Sequence, residues 1–134
     1  RQYCSPGFNL PVGSLMRTPY QQFKEYHTSA DNKDFISFEH LLQTVDLYEA
    51  IAHGLELNDK YFNAVQFCEP QLGKRGLYPD SVTAEDPREE IHRLLHFLSF
   101  ADGETSLLEI AKLRGDCILE YKSAVSKCMT AGLV

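Results

Sequence analysis

The stretch Asp86-Pro87-Arg88-Glu89-Glu90-Ile91-His92-Arg93-Leu94-Leu95-His96-Phe97-Leu98 decides how the second half of this chain folds. Asp86 is an N-cap, Pro87 occupies the first helical position where its missing N–H costs nothing, and Glu89 stands where a capping box places its carboxylate. Ile91, Leu94, Leu95 and Leu98 then recur at helical spacing and form a stripe to be buried. Asp102-Gly103 turns the chain. Ser106 to Glu109 is a second capping box, opening a helix through Leu107, Leu108, Ile110 and Ala111 that stops at Gly115. A third helix is expected from near Asp116, burying Ile118, Tyr121, Ala124, Val125 and Cys128 and ending at Gly132. A single short helix cannot bury such a stripe alone, so the three must pack on one another.

Three short helices with tight turns resemble a helix-turn-helix or winged-helix module. Charge argues against a DNA reader. Residues 88–134 hold six Lys/Arg against seven Asp/Glu, and phosphate neutralisation supplies most non-specific DNA affinity. No nucleic-acid partner is therefore expected, and protein contact is the favoured role of the module.

Upstream, Ser37 caps and Phe38, Leu41, Leu42, Val45, Tyr48, Ala52 and Leu55 fall at spacings of three and four. This predicts a helix with a broad apolar face that stops at Gly54. His40 and His53, thirteen residues apart, cannot form an i, i+4 ligand pair. Tyr61 to Phe67 alternates loosely and carries strand formers. In Gly73-Lys74-Arg75-Gly76 the residue after the lysine is not Ser or Thr, so this is a basic turn rather than a phosphate loop. Glu69 is placed to pair with Lys74 or Arg75.

Residues 1–34 are punctuated by Pro6, Gly7, Pro11, Gly13 and Pro19, which leaves room for ordered loops and one short strand through Leu10, Val12, Leu15 and Met16. Five aromatic residues there argue against a frayed tail. Within this segment, Glu25-Tyr26-His27-Thr28-Ser29-Ala30-Asp31-Asn32 reads as a histidine at the mouth of a turn. Thr28, Ser29 and Asp31 are able to bond nearby backbone. Taken alone, such a histidine is more often structural than a ligand.

Composition bounds the class. The chain has 134 residues, 43% hydrophobic and 24% charged, with net charge −6. No apolar run approaches the about 18 residues of a membrane span, so no membrane association is expected. Cys4, Cys68, Cys117 and Cys128 are scattered, which suits reduced thiols and a cytoplasmic location. The chain opens at Arg1 without Met and reads as a piece of a longer protein.

Several blocks together carry a resemblance: Arg1-Gln2-Tyr3-Cys4-Ser5-Pro6-Gly7, Leu10-Pro11-Val12-Gly13-Ser14-Leu15-Met16-Arg17, the His27 turn, and Glu69-Pro70-Gln71-Leu72-Gly73-Lys74-Arg75-Gly76-Leu77-Tyr78-Pro79. They resemble the C-terminal part of a bacterial family of M28-like zinc aminopeptidases, catalogued as a domain of unknown function. Phe100-Ala101-Asp102-Gly103 with Ser106 to Ala111 resembles that family's appended winged helix.

The resemblance implies an α/β fold for residues 1–82, a mixed sheet with flanking helices, and a winged-helix-like domain over residues 83–134. It implies His27 as the last zinc ligand of a metal-dependent hydrolase of peptides or small amides. Asp31 would hold the turn or the ligand, and Arg1, Tyr3 and Cys4 are candidates to line the cleft, with packing as the competing role. The general base and the other ligands would lie upstream in a missing N-terminal part of the same protein, so this chain alone would be inactive. A homo-oligomer is an open option. The alternative is a non-catalytic scaffold whose helical domain makes protein contacts.

Overall fold

The computed structural model describes residues 2–78 and 86–134. Among the described residues four α-helices follow in order: α1 (Phe38–Leu57), α2 (Pro87–Phe100), α3 (Leu107–Arg114) and α4 (Lys122–Thr130), with 3₁₀ turns at Gly73–Arg75 and Ile118–Tyr121. The chain divides into two compact units, Arg1–Gln43 and Thr44–Val134.

The second unit owns the core. Leu94, Phe97 and Leu98 of α2 meet Leu107, Ile110 and Ala111 of α3 and Ala124, Val125 and Cys128 of α4, all buried. Leu72 and Leu77 come in from the loop after α1, and Leu133 closes the far end. The helices begin and end where local chemistry says they should. Asp86 accepts from the N–H groups of Arg88 and Glu89. The Ser106–Glu109 box closes in both directions, and Gly115 ends α3 at φ 80°, a conformation in which Gly avoids the Cβ clash. Glu89 does not complete a box with Asp86; its carboxylate is taken by Arg114 and Arg93. The expected third helix divides into the Ile118–Tyr121 turn and then α4.

The mixed sheet expected for residues 1–82 is absent: the described residues are helix and loop, with one isolated antiparallel bridge between Phe62 and Asp102. The reason lies in where the backbone donors go. In the Tyr61–Phe67 segment, Asn63 N–H donates to Ala101 O and Ala64 N–H to Leu133 O, while Val65 N–H donates to the Asn63 side chain. The donors of Asn63 and Ala64 thus go to the end of α2 and to the C-terminus, and the pairing stops at that single bridge. The expected strand through Leu10 to Met16 is also missing. Leu10 N–H closes back on Tyr3 O and Val12 N–H on Leu10 O, which makes turns.

Gly54 is not a stop. α1 runs through it to Leu57, and Gly54 is the one buried residue of the helix. A Cβ there would sit 3.3 Å from Ile118 Cγ2, so glycine serves a close approach rather than a terminus. Ser37 does cap, its hydroxyl accepting from His40 N–H.

The first unit has no core: none of its described residues is buried. It is held by consecutive turns and by an aromatic group in which Phe23 stacks on Phe35 and meets Tyr26 edge-on. Arg17 donates to His40 O and Gln43 Oε1 at 3.3 and 2.7 Å, tying this loop bed to the start of α1. The expected boundary between residues 82 and 83 lies outside the described residues.

Candidate functional site

The turn at residues 25–32 is built by short polar side chains. Thr28 Oγ1 donates to Glu25 O at 2.8 Å and accepts from Ala30 N–H. Asn32 donates to Ser29 O and accepts from Asp34 N–H. Asp31 contributes its backbone N–H to Thr28 O at 3.2 Å. At the head of this turn His27 is held at φ 58°, a left-handed conformation that His, with Asn and Asp, adopts more often than other non-glycine residues. Its imidazole is exposed and meets the Tyr26 ring edge-on, centroids 4.2 Å apart. The turn therefore presents one exposed imidazole, held by the backbone and beside a ring.

The other predicted residues do not join it. Tyr3 accepts through its carbonyl from Leu10 N–H, and the Cys4 thiol lies 3.8 Å from Val12 O; both are exposed and neither bonds to His27. Arg1 lies outside the described residues. Among the described residues no three His, Cys, Asp or Glu side chains gather to hold a metal. An imidazole is an apt zinc donor, but one ligand cannot hold a catalytic zinc. The fit of this chain to zinc is thus that of a contributor of one ligand.

A second polar constellation escaped the sequence reading. Arg93 of α2 reaches Asp116 at 3.4 Å and Glu120 at 3.2 Å, while Arg114 at the end of α3 pairs with Asp116 at 3.3 Å and with Glu89. The fully buried Tyr121 places its hydroxyl 2.9 Å from His96 Nδ1 and 3.3 Å from Asp116 Oδ2. Both contacts are satisfied when the Tyr121 hydroxyl donates to Asp116 and accepts from the Nδ1–H tautomer of His96. Burial and the Asp116 charge push the Tyr121 hydroxyl up to about 12. Residues 23 to 27 positions apart meet here, so only the charge signs were legible beforehand. The arrangement clamps α2 to the α3–α4 connection and leaves no reactive group free.

His96 gives a pH test. Burial, and then Arg114, hold its pKa below the ordinary 6.5 despite the opposing pull of Asp116. The unfolded chain therefore takes up this proton first. Stability of the second unit is expected to fall as pH drops below 6.5, until the folded-state pKa is passed. Urea midpoints at several pH values, for the parent and for His96→Gln, check this. A parent that is no more acid-sensitive than the variant between neutral pH and pH 5.5 would overturn the assignment.

Half of the six Lys/Arg in residues 88–134 are committed to carboxylates. Arg93 and Arg114 are in the network, and Lys127 on α4 is held by Glu90, which also accepts from Ser123. Gly73–Arg75 is a single 3₁₀ turn closed by Gly76, and Arg75 donates to Gln71 O rather than pairing with Glu69. His53 lies 3.6 Å from Glu49 one turn earlier. Among the described residues, no helix is long and apolar enough to cross a membrane.

Comparison with known proteins places this geometry. Over 115 residues the chain is 43% identical to a Clostridium acetobutylicum protein described as "Putative polysaccharide biosynthesis protein with aminopeptidase-like domain", covering 86% of this chain and 26% of that protein. It is similar, at 36% identity and a TM-score of 0.81, to the crystal structure of a "putative peptidase" from the same species, covering 98% of this chain and 28% of that one. The chain thus spans little more than a quarter of the length of these relatives. Residues 1–58 match a domain of unknown function, DUF4910. Residues 59–134 match a winged helix-turn-helix family. The relatives bear out the peptidase-like part of the resemblance, and the match over more than half of the chain bears out its helical part: through residues 59–134, this chain belongs to the winged helix-turn-helix family.

Proposed function

We propose that this chain is one portion of a peptidase-like, zinc-dependent hydrolase of the M28 kind, cytoplasmic and acting on a peptide or small amide. In this reading His27 supplies one metal ligand. The observation that carries it is the His27 turn, an exposed imidazole on left-handed backbone in a chain whose relatives are peptidase-like.

The chain's own residues have defined tasks. Thr28 and Asn32 fix the turn, so that the ligand is presented with little loss of freedom on binding. The edge of Tyr26 limits rotation of the imidazole. Asp31, four residues after His27, is the carboxylate assigned to orient the ligand or the turn. Bound zinc would supply an activated water and polarise the scissile carbonyl. The general base and the remaining ligands come from outside this chain, which alone is inactive. The winged helix works by protein contact: Arg93, Arg114 and Lys127 are held by carboxylates, and acidic residues outnumber basic ones over residues 88–134.

The test is zinc content and amino-acid-amide hydrolysis of the longer protein, with and without His27→Ala. Loss of both zinc and activity in the variant is the expected result. A parent that stays metal-free and inactive under zinc supplementation would sink the reading.

A further inference from the structure

α1 buries only Gly54, yet Phe38, Leu41, Leu42, Val45, Tyr48 and Leu55 are all at least half exposed. At about 100° per residue these six share one stripe, roughly opposite the Gly54 face that meets Ile118. Soluble monomers seldom leave so large a contiguous apolar surface in water. The first unit adds a second sign of incompleteness. Its described residues bury nothing, and a segment of that size without a core cannot offset its ordering entropy.

We propose that the apolar stripe of α1 is a docking face for the aminopeptidase-like remainder of a longer polypeptide. What identifies the occupant is length and place. The matched stretch is 26% and 28% of the two relatives, one of which is described as having an aminopeptidase-like domain. α1 falls within the residues 1–58 match, ahead of the winged helix-turn-helix match. It therefore belongs by sequence to the domain whose core is not in this chain, and its last turn is anchored at Gly54 and Leu57. A second copy is the poorer occupant. Asp46 and Glu49 edge the stripe at mid-helix, and a two-fold pairing would set them against their own copies. The inference rests on the peptidase-like reading for the identity of the occupant and makes no use of zinc or His27.

Hydroxyl-radical footprinting of the longer protein and of the 134-residue chain in parallel tests it, read at Phe38, Leu42 and Tyr48. Oxidation about tenfold slower in the longer protein is expected for a face moved from water into a packed interior. Equal rates in both overturn the proposal. Protection in the 134-residue chain that rises with its concentration overturns it in favour of a second copy. The double variant Leu42→Lys, Val45→Lys adds an independent reading. It should leave the helical circular dichroism of the 134-residue chain unchanged and lower the melting temperature or soluble yield of the longer protein. A longer protein indifferent to both lysines counts against the docking face. Protection that survives while zinc is absent removes only the metal reading.

Discussion

Replacing Phe97 by alanine is expected to lower the unfolding free energy of the helical unit by about 3–5 kcal/mol. The ring is fully buried and meets Tyr61 edge-on at 5.3 Å. Three things are lost together: the transfer free energy of the ring, the aromatic contact, and the packing of a cavity whose walls belong to different helices. Those walls cannot close easily. Ala101 and Leu98, just beyond Phe97, are tied through their carbonyls to Asn63, so α2 is not free to slide inward. Small domains have about 5–15 kcal/mol in total, and the variant should be near the edge of folding. Urea denaturation followed by circular dichroism measures this. A midpoint close to that of the parent would mean that the helices repack, and the core described here would be wrong.

The second large effect is expected at Asp116. Changing it to alanine removes the carboxylate shared by Arg93 and Arg114 and the acceptor of the Tyr121 hydroxyl. Glu120 and Glu89 still serve the two guanidiniums, so the loss should be about 1–3 kcal/mol rather than that of a stranded buried charge. A cycle with Tyr121→Phe separates the contributions. If the two changes add without coupling, the tyrosine hydroxyl is bonded to His96 alone.

What could be read in advance follows the range of the physics. The Ser106–Glu109 box, the Asp86 cap and the Gly115 stop are contacts within four residues, so their residue types announce them. Phe97 fits the helical period but was left out of the expected stripe, because the side of α2 it faces is covered by Tyr61 from a distant loop. Gly54 was misread for a related reason: a glycine near a helix end signals a stop only if nothing packs on it. The strands expected at Leu10–Met16 and Tyr61–Phe67 fail because pairing is decided elsewhere: Tyr3 and Leu10 take donors of the first, and Ala101 and Leu133 take donors of the second. At the candidate site, Thr28 was legible as a turn former. The carboxylates and amines of the α2–α4 clamp were visible as charges but not as partners.

The first N–H groups of α3, at Leu107 and Leu108, donate to Asp59 O and to the Asn58 side chain, which directly follow α1. The seam between the two sequence families falls between 58 and 59. The families therefore meet as a dovetail, not as beads on a string. A gene boundary drawn at that seam, whether by recombination or by cloning, would separate α3 from the cap that Asn58 lends it. The winged helix should travel between proteins only when it carries the last turn of its neighbour along.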